Sequence, residues 1–469
     1  MPVTPEAREL HLAVALDGAG WHPAAWREPT ARPDKLFDAS YWAGLAREAE
    51  AGTLDFVTIE DSLAIQSADR LSGPDNRTDQ VRGRLDAVLI AARVAPLTTH
   101  IGLVPTAVAT HTEPFHLSTS LATLDYASEG RAGWRARVSP APDEARQFGR
   151  REFPPVSAES FADPAVAAHL RAVFDEGADA VEVVRRLWDS WEDDAVIRDV
   201  PTGRFVDRGK LHYVDFEGQW FSVRGPSITP RPPQGQPVVV SLAHGPVPYL
   251  FAARAADIVF ITPFSAGDAV ARTDQVRAAE VAAGRAAGPV AAGPVTAAQV
   301  AASPVTAGPV AAGPVTAGPV AVGPVTVSPV VVAGSSERVP GATDGDHWSR
   351  PLSVYADLVV FLDDEPGAAA ARRARLDALD GAEFSTDCAV FAGTPAELAD
   401  LLLDWRAAAG LAGFRLRPGA LPDDLERITR SLVPELRRRG AFRDRYAERT
   451  LRERLGLPRP ASRYAAQSA

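Results

Sequence analysis

Eight short apolar runs recur along this chain, and each is followed by an amphipathic stretch or a longer excursion. They are Leu10–Leu16, Phe56–Glu60, His100–Pro105, Ala132–Val138, Val238–Leu242, Ile258–Thr262, Val354–Leu362 and Gly413–Leu416. Several are almost continuously apolar, as parallel strands buried on both faces are. The stretches between them carry helix-boundary signals. Thr394-Pro395-Ala396-Glu397 is a capping box with proline at the first helical position, and the helix it opens should run past Trp405 to Gly410. A helix is expected from Asp38 to Glu50, ending at Gly52. Another opens at Glu113-Pro114, and a fourth spans Asp179 to Trp191. Eight strands alternating with helices predict a (β/α)8 TIM barrel, an α/β fold. A doubly wound open sheet is the competing architecture, but no glycine-rich dinucleotide fingerprint follows any run.

The chain reads as one barrel domain over residues 1–469, with residues 285–350 inserted into it. From Gly288 a Gly/Ser-Pro-Val unit repeats every five residues, with prolines at 289, 294, 304, 309, 314, 319, 324 and 329. Proline at that density removes amide donors and fixes φ, so neither a helix nor an inner strand is expected there. The same prolines interrupt the longest uncharged stretch, and no membrane span is expected.

Composition narrows the function classes. Sixty acids against 49 Lys and Arg leave a net charge of −11, which argues against a nucleic-acid partner. The single cysteine, Cys388, permits no intrachain disulfide and no thiolate metal cluster, which suits a reducing cytoplasm.

In a barrel, function gathers at the C-terminal ends of the strands. After the first strand, Asp17-Gly18-Ala19-Gly20-Trp21-His22 offers close backbone approach, with Trp21 and His22 facing either a planar ligand or the core. After the second, Asp61 either accepts a bond from a ligand amide or caps the next element. After the third, Thr106, Thr110 and His111 mix small hydroxyls with apolar neighbours, suited to a ring system. His111, Glu113 and His116 lack the spacing of a zinc site, so no metal is expected. On the fourth run Arg135 and Arg137 share one face. Facing the barrel interior they need anionic partners, such as a phosphate or an acidic substrate; facing the helices they have carboxylates such as Glu144. After the fifth run, Ser241, Ala243, His244 and Gly245 precede a helix start, where backbone amides hold anions, but Pro246 and Pro248 remove two donors.

These segments resemble the luciferase-like flavin monooxygenases, in the branch that contains the nitrilotriacetate monooxygenase and the desulfurisation sulfone monooxygenase. The matching stretches are His22-Pro23-Ala24-Ala25-Trp26-Arg27, Glu60-Asp61-Ser62-Leu63, Gly130-Arg131-Ala132-Gly133-Trp134, Leu187-Trp188-Asp189-Ser190-Trp191, Gly413-Phe414-Arg415-Leu416-Arg417-Pro418 and Leu455-Gly456-Leu457-Pro458-Arg459-Pro460. The resemblance implies FMN across the strand ends, reduced by a separate NAD(P)H-dependent flavin reductase. It also implies dioxygen as co-substrate, a small organic substrate and a homodimer. Asp61 and Thr106 would touch the flavin ring, Trp134 and Arg135 would hold that strand against it, and Ser241, Ala243, His244 and Gly245 would meet the phosphate. Trp21 and His111 would line the substrate mouth, with His22 as the catalytic candidate. The chain departs from the family at three places. Arg135 stands where the family has Asn, His244-Gly245-Pro246 where it has small residues and serines, and Phe174 where a Tyr helps the phosphate, with His169 near an expected His. A deazaflavin, used by other barrels of this type, is the alternative cofactor, and a barrel that has lost catalysis is the alternative of another class.

Overall fold

A computed structural model describes residues 9–67, 75–155, 160, 163–286 and 350–465. The five-residue repeat lies outside the described residues.

The eight apolar runs form strands β1 His11–Leu16, β2 Phe56–Ile59, β3 Gly102–Val108, β4 Gly133–Arg137, β5 Val238–Leu242, β6 Ile258–Ile261, β7 Ser353–Leu362 and β8 Gly413–Pro418. Each pairs in parallel with the next, and β8 returns to β1 through His11↔Gly413, so the sheet closes. β7 runs beyond its neighbours, and the extra strand Val390–Gly393 pairs with its upper half.

Helices cover the outside: α1 Ala39–Ala51, α2 Ala87–Val94, α3 Pro114–Ala127, α4 Pro164–Asp189, α5 Pro246–Ala255, α6 Ala266–Ala282, α7 Ala368–Asp380 and α8 Pro395–Ala409. The Thr394 capping box forms, and Gly410 closes α8 in the left-handed conformation. α4 differs from expectation. It starts at Pro164 rather than near Asp179, with the Asp163 carboxylate accepting from the Ala165 amide. Val166, Val173, Ala180 and Leu187, seven apart and all buried, hold this longer helix to the barrel.

Strand alternation sorts the core into two. Leu12, Val14, Val57, Leu103, Trp134, Val239 and Val259 face the helices. Ala13, Phe56, Val104, Val240, Phe260 and Tyr355 face inward, with Phe56 and Phe260 stacked at 6.3 Å. Leu451 and Leu455 plug the lower end, and Gly102 admits that plug, since a Cβ there would lie 2.7 Å from Leu451 Cδ1. Above this apolar floor the interior turns charged.

Candidate active site

On β8, Arg415 and Arg417 point inward and are essentially unexposed. Arg415 lies over the Phe260 ring at 4.4 Å, so the charged layer rests directly on the aromatic one. Its Nε donates to Asp357 Oδ1 of β7 at 2.9 Å, and its Nη1 donates across the barrel to Glu60 Oε1 at 2.8 Å. Glu60 Oε2 in turn takes Arg135 Nη1 of β4 at 2.8 Å. Arg417 Nε donates to Asp357 Oδ2 at 2.9 Å, and its Nη1 reaches Asp387. The result is a ladder: Arg135, Glu60, Arg415, Asp357, Arg417, Asp387. Burial alone would raise the Glu60 carboxyl, but Arg135, Arg415, Arg417 and Arg84 overrule it and hold it at about 2.

Asp61, beyond the end of β2, uses both oxygens on backbone, accepting from Ser62 N at 2.7 Å and Ala87 N at 2.9 Å, so it ties the β2 loop to the start of α2. Burial raises its pKa against those two amides. Thr106 Oγ1 accepts from Arg135 Nη1 at 3.0 Å. Trp134 faces the helices, with Nε1 donating to Ala107 O, so it fixes β4 against β3 from outside and does not line the interior. Arg135 and Arg137 do face inward, yet protein carboxylates pair both, Arg137 with Glu144 at 2.8 Å. Trp21 lies under the Arg417 guanidinium at 5.0 Å. His22 is buried with both ring nitrogens engaged, Nε2 with Asp377 at 2.9 Å and Nδ1 accepting from Ala24 N, which fastens the β1 loop to α7.

At the rim after β5, Ser241 and Ala243 are buried and His244 is half exposed, with Nδ1 bonded to Thr262 Oγ1 at 3.0 Å. A Cβ on Gly245 would meet nothing within 4 Å, so open space faces the start of α5. Pro246 opens that helix and Pro248 follows two residues later, leaving the amides of Gly245 and Val247 as its forward donors. Phe174 packs edge-on against Phe251 at 5.7 Å. His111, at φ 70, and His169 flank Phe153 at 5.2 and 4.6 Å, and the Nε2 of each is buried without a partner. Burial, then Arg151, lowers His111 to about 4. Among the described residues no group of three or more His, Cys, Asp or Glu is arranged to hold a metal ion.

The family pattern of luciferase-like monooxygenases matches residues 19–413. The chain belongs to the luciferase-like monooxygenase family. It is 31% identical to N-acetyl-S-(2-succino)cysteine monooxygenase of Bacillus subtilis, over 99% of this chain and all of that one. It is 30% identical to nitrilotriacetate monooxygenase component A of Aminobacter aminovorans, over 98% and 99% of the two chains. The solved EDTA monooxygenase of Chelativorans superposes with a TM-score of 0.70 at 22% identity, covering 96% of this chain and 99% of that one. Membership in the luciferase-like monooxygenases makes this chain an oxidoreductase whose reaction joins reduced flavin, dioxygen and a small organic substrate.

The strand-end residues fit a flavin of that family. Arg135 and Glu60 supply paired polar groups at the inner wall of the strand ends, the kind of lining that suits the carbonyl and nitrogen edge of a flat ring. The open ground before α5, with the amides of Gly245 and Val247, suits a phosphate at the other end.

Proposed function

We propose that this barrel takes FMN already reduced by a separate NAD(P)H-dependent flavin reductase, uses it with dioxygen on a small substrate, and releases it. The observation that carries the proposal is the contrast between the two ends of the site. The ring end is lined by buried, paired charge on β2, β4 and β8, while the phosphate end opens before α5, where Pro246 and Pro248 offer no amide and Phe174 offers no hydroxyl. Each missing bond to a charged group is worth about 1.5–3 kcal/mol, so phosphate anchoring is weaker by orders of magnitude in affinity. A flavin held mainly by its ring exchanges freely, which is what delivery from another protein requires.

When bound, reduced FMN supplies the two electrons with which dioxygen leaves one oxygen on the substrate and one in water. The protein's part is positional. Arg135, fixed by Thr106 and Glu60, and Thr106 itself would hold the edge of the ring, Ser241 and Gly245 would line the path to the phosphate, and Asp61 holds the β2 loop against the start of α2. The aromatic floor of Phe56, Phe260 and Tyr355 excludes water from below. His22 orients the β1 loop through Asp377, and Trp21 presents a flat face toward the mouth. His111, held neutral by its burial, packs against Phe148 and Phe153 and backs the loop after β3. A deazaflavin carries a longer anionic tail that needs cationic partners, and the two arginines on the inner face of β4, Arg135 and Arg137, already pair with Glu60 and Glu144. FMN is therefore the better match.

The test is rapid mixing. Protein saturated anaerobically with photoreduced FMN is mixed with aerated buffer, and flavin reoxidation is followed by absorbance. Reoxidation with kinetics distinct from free flavin supports the proposal; traces identical to free flavin at all protein concentrations refute it.

A further inference from the structure

At the end of the barrel opposite the strand-end site, charge is out of balance. A cavity there is lined by Asp257, just before β6, by Arg285 and Arg350, and by Arg452 and Pro458 of the C-terminal segment. Arg285 gives its bonds to carbonyls: Nε to Arg350 O at 2.7 Å, and Nη1 to Ala256 O at 2.7 Å and Ala253 O at 3.2 Å. Arg350 gives Nη1 to Gly456 O at 3.2 Å. Neither pairs with a carboxylate among the described residues. Arg452 donates to Pro458 O and Gln236 O, and its carboxylate partner, Asp257 Oδ2, stands 3.5 Å away. That oxygen already takes Arg185 Nη2 at 3.1 Å and the Val239 amide at 2.9 Å. Behind the cavity wall Arg277 holds both oxygens of Glu280, and Asp125, pushed up to about 6 by burial, is the next carboxyl that Arg452 feels. Arg185, Arg277, Arg285, Arg350 and Arg452 thus stand against Asp125, Asp257 and Glu280. Carbonyls satisfy the hydrogens of a guanidinium but leave its charge uncompensated, which is costly where water is excluded. The strain shows in the arginines themselves: burial pulls Arg285 down to about 10 and lowers Arg452 as well.

The cavity holds about 10 Å³, room for one guest the size of a water molecule. Phosphate, sulfate and carboxylates are too large for it. We propose that it binds one monatomic anion, chloride in ordinary buffers, which supplies the negative charge that Arg285, Arg350 and Arg452 lack. A water molecule fills the same space but brings no charge, whereas chloride accepts N–H donors from several sides and gives none back. Asp257 shares the wall, but its charge is committed to Arg185 and Arg452. The side chain of Arg350 is exposed, so it can shift to admit an ion slightly larger than water. Arg285 and Arg350 are 65 positions apart and meet here beside the C-terminal segment, so the anion joins three stretches of chain under β6 and β7. Its role is structural, as suits the N-terminal face of a barrel, where residues serve stability. The assignment does not rest on the flavin reading.

The experiment measures the thermal unfolding midpoint of the full chain, without flavin, in sodium chloride, sodium bromide and sodium gluconate at equal ionic strength. Mass action predicts a midpoint that climbs by about 2–4 °C with chloride or bromide and then levels off, while gluconate, too large for the cavity, gives no such rise. Arg350→Gln is the first variant, because its side chain is exposed and its carbonyl still accepts from Arg285. It should need at least about tenfold more chloride for the same rise, as loss of one charge-assisted contact implies. The second measurement needs no variant: crystals grown in sodium bromide should show an anomalous peak within hydrogen-bond distance of at least two of Arg285, Arg350 and Arg452. Identical curves in chloride and gluconate overturn the assignment. So does a chloride response unchanged in Arg350→Gln, and so does cavity density without an anomalous signal, which is water. No arm contains flavin, so failure here leaves the FMN reading standing, and failure of that reading leaves this one.

Discussion

Replacing Asp357 with Asn isolates what the charged layer contributes to the barrel. Asp357 has no exposed surface and accepts the Nε of both Arg415 and Arg417 at 2.9 Å. Asparagine keeps the volume and removes the charge, leaving three buried guanidiniums against two carboxylates. Its amide nitrogen would also face a guanidinium, donor against donor. Removing one partner of a buried ion pair costs about 3–5 kcal/mol, because the charge left behind stays desolvated. Glu60 and Asp387 remain, so the lower end, about 3 kcal/mol, is expected. Asp400→Asn is the control, since Asp400 pairs with Arg439 but is 68% exposed; it should cost under about 1 kcal/mol. Urea unfolding followed by tryptophan fluorescence measures both. If Asp357→Asn shifts the midpoint no more than the control, the layer is hydrated and the ladder argument is wrong.

Acid should weaken the protein in two stages. His111 sits at about 4, below its ordinary 6.5, so the folded state resists its protonation and stability falls as pH drops from about 6.5 toward 4. Glu60 and Asp55, both held at about 2 by arginine or histidine partners against burial, add a second loss as pH falls below about 4.5. Urea midpoints across pH should show both limbs, and His111→Phe should flatten only the first. Thr394→Ala, which removes the capping box of α8, should cost about 1 kcal/mol in the same assay. His22→Ala should cost about 1–3 kcal/mol, since it strands the Ala24 amide and unties Asp377; differential scanning calorimetry checks it.

The barrel was legible because parallel strands buried on both faces write themselves as apolar runs, and all eight runs became barrel strands. Ends were less so. β3 runs on through Pro105 to Val108, three residues past the end of the apolar run His100–Pro105. The start of α4 was missed although Asp163-Pro164 is a cap followed by a first-turn proline. At the site, alternation placed Arg135 and Arg137 on one face, and the same argument applies to Arg415 and Arg417. Asp357, a lone charge at an inward position of an apolar run, is the sequence signal for the layer. Who pairs with whom was not legible. Arg415 and Glu60 are 355 positions apart, and His22 and Asp377 likewise, so no local pattern records either contact. Asp61 as a loop tie was one of two readings that its residue type allowed, and only the geometry chose between them.

The account stands on a flavin ring lying over the ionic ladder at the strand ends. Soaking crystals anaerobically with dithionite-reduced FMN tests this directly. The expected map shows the ring at the strand ends of β2 to β5, with the Arg135–Glu60 and Arg415–Asp357 pairs intact. A map in which flavin binds elsewhere, or enters only where those pairs have broken, would contradict it.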